Sequence, residues 1–164
     1  MAVVGVGQEI NGDDAAGVKV AQALVNRQWA GSSDAPRPAP FSLLVVEAAH
    51  APENCTGAIR RFAPDLVILV DAAEMGDPPG TVRWLDWRAA AGLNTSTHTL
   101  PPSMVARYLA AELSCEVALI GIQVQDTSLG AGISPAVRRA IRSVSRGLTM
   151  LLLDAGDPNR PERN

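Results

Sequence analysis

The chain has 164 residues, a formal charge of −3, an isoelectric point near 5.3, and is 47% apolar and 19% charged. That is enough for one globular domain, and it excludes a disordered chain and a broad electrostatic grip on nucleic acid. No apolar run nears the ~20 residues that span a bilayer, and no basic-then-apolar leader precedes the first strand. Two cysteines, Cys55 and Cys115, make neither a disulfide framework nor a cysteine-rich zinc site. A soluble cytoplasmic domain is the expectation.

Ala2 to Val6 is a short β-branched run ending in glycines and reads as a buried strand. After Gly7 to Asp13 comes a helical pattern with Val18, Ala21 and Val25 on one face and Val20 and Leu24 beside it, for which Asp13 or Asp14 supplies the N-cap. Residues 31–40, rich in Ser and Pro, are a surface connection. Ser42 to Glu47 is a second buried strand, Glu53 to Phe62 a short helix, and Leu66 to Val70 a third strand ending at Asp71. Pro78, Pro79 and Gly80 turn into Thr81 to Leu85, a half-exposed, antiparallel edge strand. Ser103 to Leu113 is a helix opened by Pro101 and Pro102, and Glu116 to Gln123 is another buried strand.

The last helix has the clearest boundaries. Ser134 is its N-cap and Pro135 its first residue, with Val137, Ile141, Val144, Leu148 and Leu151 spaced by three or four. Strands alternating with helices predict an α/β fold: one three-layer domain over residues 1–155, with a mostly parallel twisted sheet of about five strands and helices on both faces. Residues 156–164 form a fraying tail. No large exposed apolar stripe is evident, so a monomer is expected.

Ligands in such sheets bind at the carboxyl ends of the strands, where strand order reverses. The rule selects Gly5 to Asp14, Asp71 to Glu74, and the loop holding Asn94 to His98. The glycines do not spell a dinucleotide fingerprint, because Ile10 stands where the third glycine belongs and Asp13 and Asp14 would repel a pyrophosphate. One aspartate caps a helix; two exceed that need. Asp71 could start a turn, yet it directly follows five apolar strand residues. Two carboxylates and one imidazole, His98, make a donor set for a borderline divalent cation, with His50 a rival imidazole. A metal site and a cluster of caps and turns both remain open from the residues alone.

At these positions the sequence resembles the [NiFe]-hydrogenase maturation endopeptidases over nearly its whole length. The carriers are Gly5-x-Gly7, then Asp13-Asp14-x-x-Gly17-Val18, the strand Leu66 to Val70 with Asp71-Ala72, Pro79-Gly80, and Thr97-His98-x-Leu100-Pro101. Ala51-Pro52-Glu53-Asn54 and the Asp-Asp form of the first motif are similar to members serving formate-hydrogenlyase-type hydrogenases. The resemblance implies a peptidase of aspartic, nickel-dependent type. It would remove a C-terminal extension from the large-subunit precursor after nickel insertion. It also implies that Asp14, Asp71 and His98 are the metal-binding and catalytic residues. The nickel would be supplied by the substrate, and other divalent cations could substitute.

Three positions depart from the family pattern. The usual Asn after the glycines is Gln8, and the usual Pro after Gly-Ile-Gln is Val124. The Asp-Gly-Gly-Thr/Ser run tied to substrate recognition is Glu47-Ala48-Ala49-His50, so these four are the expected substrate-binding residues. Two added methyl groups narrow a close backbone approach there. His50 would bind Glu47, add a fourth ligand or read the precursor. No Ser-His-Asp or Cys-His arrangement is evident, and both cysteines read as structural. The rival readings are a self-contained zinc metallohydrolase on the same three residues and a nickel-checking chaperone that docks on the precursor without cutting it.

Overall fold

The computed structural model of the chain describes residues 1–30, 42–49, 51–88 and 102–155. Strand β1 (Ala2–Val6) is buried throughout, and a 3-10 turn (Gly12–Ala15) leads from it into α1 (Ala16–Ala30). β2 (Leu44–Ala49) is followed by a second 3-10 turn (Pro52–Cys55), α2 (Thr56–Phe62) and β3 (Leu66–Ala73). Then come β4 (Val82–Leu85), α3 (Pro102–Leu113), β5 (Glu116–Gln123) and α4 (Pro135–Ala155).

The five strands lie in the order β2-β1-β3-β5-β4. The first four run parallel and β4 returns antiparallel along the outer edge of β5. The expected α/β sandwich is therefore the observed one. Alternation along the central strands supplies two cores. Val3, Ile68, Val70 and Ile122 pack with Val20 and Leu24 of α1 and Val137, Ile141, Val144 and Leu148 of α4. On the other face Val4, Val67, Leu69 and Leu119 pack with Ile59 of α2 and Val105 and Leu109 of α3. Burying each large aliphatic side chain contributes roughly 1.5–3 kcal/mol, so strands covered on both faces hold the sheet together.

Several boundaries differ from the sequence reading. β2 starts and ends two residues later than expected, so Ala48 and Ala49 join Glu47 in the strand. β3 continues through Asp71 to Ala73, because its ladder with β5 runs unbroken from Leu66↔Glu116 to Ala73↔Gln123. Asp71 therefore sits inside a central strand and starts no turn. At the far end of α4 the buried residue is Leu152, not Leu151, which is 39% exposed; the step of four from Leu148 keeps the apolar stripe on the sheet. On β4 the alternation places Val82 and Trp84 in solvent. The start of α4 is as expected, with the Ser134 hydroxyl accepting the Val137 N–H at 3.3 Å. The tail 156–164 lies outside the described residues.

The approach of α1 to the sheet depends on Gly17. A Cβ there would stand 2.1 Å from the Val70 carbonyl oxygen and 2.3 Å from that of Val6. Gly5 faces it from β1, where a Cβ would lie 2.2 Å from the Gly17 oxygen. The first turn of α1 thus rests directly on the ends of β1 and β3. Gly17→Ala must push the helix off these backbones, and we expect a loss of about 1–3 kcal/mol in urea unfolding. An unchanged midpoint would show that the contact does not position the helix.

Candidate functional site

β1 has neighbours on both sides, β2 and β3, that the chain reaches by crossing in opposite directions. The reversal of strand order lies between β1 and β3, and their carboxyl ends are where such sheets bind ligands. Asp14 enters from the turn after β1, and Asp71 from β3 itself. Alternation along β3 turns Asp71 to the α2 and α3 face, beyond Val67 and Leu69.

Asp14 is held in place by the loop that precedes it. The Gln8 N–H donates to its Oδ2 at 2.8 Å, and the Gln8 side-chain oxygen accepts from Asn11 Nδ2 at 3.2 Å. Gly7 makes this possible, because at φ +134° a Cβ would lie 1.8 Å from the Asp14 carbonyl oxygen. The Gly7 N–H donates to the Ala49 carbonyl at 2.8 Å, so the loop is also tied to β2.

Both carboxyls are poorly solvated. Burial raises the Asp14 pKa, opposed by the Gln8 N–H. Burial pushes Asp71 up to about 7, the negative charge of Asp14 adds to the rise, and the Ala72 N–H opposes it. The two groups therefore sense one another. Among the described residues the ion pairs are Lys19–Glu9, Arg60–Glu112 and Arg83–Asp77, none of which compensates the pair. A desolvated carboxylate pair without a cation is costly to keep and is a mark of a functional site. No group of three or more His, Cys, Asp or Glu able to hold a metal occurs among the described residues. His98 and His50 lie outside those residues.

Asp13 behaves unlike its neighbour and unlike the expected cap. The N-cap of the 3-10 turn is Asn11, whose side chain makes no capping bond, and Asp13 lies within the turn. Its fully buried carboxylate reaches across to the β5–α4 loop. Oδ2 accepts the N–H groups of Gln125 at 2.8 Å and Asp126 at 3.1 Å, while Oδ1 accepts that of Ser134 at 2.6 Å. The sequence signal for it was the doubled aspartate, since one cap needs only one. Gln123, buried at the end of β5, also escaped the sequence reading. Its Oε1 accepts from Met75 N–H at 2.7 Å and Asp77 N–H at 3.2 Å, and its Nε2 donates to Glu74 at 2.8 Å. It fixes the segment that follows β3. A polar residue closing an apolar strand was its only signal.

The departing run on β2 divides by face. Glu47 is exposed and accepts from Gln22 Nε2 at 2.9 Å, in a surface network that also holds Glu9 and Lys19. Ala48 is buried in the α2 and α3 core, beside a register shift between Gly5 and Val6. Ala49 is exposed at φ +47°, a left-handed conformation that glycine adopts without strain. Cys55 and Cys115 are half-buried with thiol pKa values raised by burial, which disfavours the nucleophilic thiolate.

The sequence profile of the hydrogenase maturation protease family matches residues 31–149. The hydrogenase 3 maturation protease of Escherichia coli K12 is 28% identical over 147 residues, spanning 87% of this chain and 85% of that one. The [NiFe] hydrogenase maturation protease HycI from Thermococcus kodakarensis superposes with a TM-score of 0.76 at 30% identity, over 93% of this chain and 90% of that one. The hydrogenase maturating endopeptidase HybD from E. coli shares the fold with a TM-score of 0.72 at 22% identity, over 94% and 93% of the two chains.

Two outcomes follow from this geometry. Because the folded Asp71 value of about 7 lies above the ordinary 3.8, the native protein binds a proton that the unfolded chain lacks between those pH values. The Asp71 contribution to stability is full below about pH 4 and is lost as pH rises through 7, by up to about 4 kcal/mol. Asp71→Asn should therefore raise the melting temperature of metal-free protein at pH 8 and leave it unchanged at pH 4; equal melting at pH 8 would refute the burial cost. Ala49→Gly should stabilise by about 0.5–1 kcal/mol in denaturant titration by relieving the left-handed alanine.

Proposed function

The chain belongs to the hydrogenase maturation protease family, and from that premise we propose that it is a nickel-dependent endopeptidase. It removes the C-terminal extension of a [NiFe]-hydrogenase large-subunit precursor after nickel has been inserted. The observation that carries this reading is the pairing of Asp14 and Asp71 at the reversal of strand order, both desolvated and without a cation among the described residues. A divalent ion arriving in the substrate would relieve their mutual repulsion, and an imidazole would complete an O,O,N set. His98 is the proposed third ligand. Supporting this, α3 begins four residues after His98 and packs against the turn Pro52–Cys55 that follows β2.

In this proposal nickel is part of the substrate and reports that insertion is complete. A precursor without it loses the contacts to Asp14, Asp71 and His98 and is bound weakly. Asp14, oriented by the Gln8 N–H, provides a fixed acceptor. Asp71, the other carboxylate, is proposed to hold the ion through one oxygen and, through the other, to take a proton from the water that attacks the scissile carbonyl and return it to the leaving amine. Glu47, Ala49 and His50 are proposed to border the bound extension, while the burial of Ala48 assigns it to support of that strand. The proposed setting is the cytoplasm and the proposed state a monomer, on composition alone.

The test is cleavage of nickel-loaded precursor followed by mass spectrometry. We expect loss of the extension with the unaltered protein and none with nickel-free precursor. Asp71→Asn and His98→Ala should each lower the rate by at least about 100-fold while folding normally. Full processing by folded Asp71→Asn would refute its role. Tight resting zinc with cleavage of simple peptides would replace this reading with a self-contained metallohydrolase. A stable complex without change of mass would replace it with a chaperone.

A further inference from the structure

Two apolar side chains are held in water on loops that adjoin Asp14 along the chain and through the backbone. Ile10 lies two residues beyond Gln8, whose N–H binds Asp14, and is 56% exposed; Leu129, on the β5–α4 loop, is 77% exposed. Their loops are joined directly, for the Gly130 N–H donates to the Ile10 carbonyl at 2.7 Å and the Asp13 N–H to the Asp126 carbonyl at 2.9 Å.

Neither loop is free to fold its side chain inward. The buried Asp13 carboxylate binds the Leu129 loop near both ends, at Gln125, Asp126 and Ser134. Inside it the Ser128 N–H binds the Asp126 carboxylate at 2.9 Å, and the Ala131 N–H binds the Ser128 carbonyl at 3.0 Å. Single exposed apolar residues are ordinary; these two stand on loops that are hydrogen-bonded to each other and pinned to the fold. These loops also offer little charge. From Val124 to Ser134 the only ionisable side chain is Asp126, already engaged by Ser128, and Glu9 is paired with Lys19.

We propose that Ile10 and Leu129 form the apolar contact that seats the precursor polypeptide, taking up apolar side chains of the segment beside its cleavage point. The inference rests on the proteolytic reading above, because a peptide bond brought to Asp14 and Asp71 must lie against the loops that adjoin them. The contact adds to the binding that nickel provides, whereas the carboxylates both hold the ion and serve the cleavage. Asp13 joins the two, since its backbone precedes Asp14 and its carboxylate holds the Leu129 loop.

The experiment compares processing of nickel-loaded precursor by the unaltered protein, Ile10→Ser, Leu129→Ser, the double variant, and Leu129→Met. The double variant should raise KM about tenfold with kcat held within about twofold, and Leu129→Met should restore KM. All should melt as the unaltered protein does, because both side chains are exposed. Met150→Ser, 69% exposed and about 22 Å along α4 from Pro135, should leave KM unchanged. Unchanged KM in the double variant, with normal processing by the unaltered protein, overturns the inference and leaves the proteolytic reading standing. A dimer of the protein that dissociates in the double variant would assign the patch to a second copy and also overturn it. If the unaltered protein leaves the precursor intact, the proteolytic reading fails and the inference falls with it.

Discussion

The seating of α1 on bare backbone governs the geometry of this molecule. Gly17 allows the helix to rest on the carbonyls of Val6 and Val70, and Gly5 meets it from the strand side. A helix at ordinary distance from a sheet, roughly 10 Å between layers, would leave its first turn above the strand ends. Here the turn that precedes α1 is drawn down between β1 and β3, and Asp14 arrives beside Asp71 as a result. The close approach is thus the condition under which two carboxylates, one from the turn before α1 and one from β3, share one poorly solvated space.

That arrangement opposes stability, and the rest of the fold has to tolerate it. An ionised carboxylate inside a central strand sits where an aliphatic residue would contribute favourably. The compensation is spread through two apolar cores and an unbroken β3–β5 ladder. Strain and uncompensated charge collect at the carboxyl edge of the sheet, as expected where local consistency gives way to chemistry. Gly7, the left-handed Ala49 and the carboxylate pair all lie there.

The adjacent aspartates show how one dipeptide serves two ends. Asp13 is fully buried and meets its hydrogen-bonding capacity with three backbone N–H groups of the β5–α4 loop. Among the described residues Asp14 receives the Gln8 N–H alone, and it stays half-buried. The first is an internal strut and the second is oriented by the loop before it. Gln123 does similar work on the segment after β3, so the loops at the carboxyl edge of the sheet are braced by buried polar side chains instead of an apolar base.

Local signals along the chain account for the layers and most of the elements. β-branched runs, the period of α4 and its Ser134-Pro135 start are local signals, and each element forms where its own residues favour it. The candidate carboxylates were legible because Asp14 and Asp71 follow apolar strands at the edge where α/β sheets bind ligands. Tertiary structure decided which aspartate does what. Asp13 and Asp14 are alike in sequence, and only the distant N–H groups of Gln125, Asp126 and Ser134 separate them. It also decided that β3 carries Asp71 within the strand, since ladder length depends on the partner β5. The pairing of the Ile10 and Leu129 loops was illegible for the same reason, because residues more than a hundred positions apart meet only when the sheet closes.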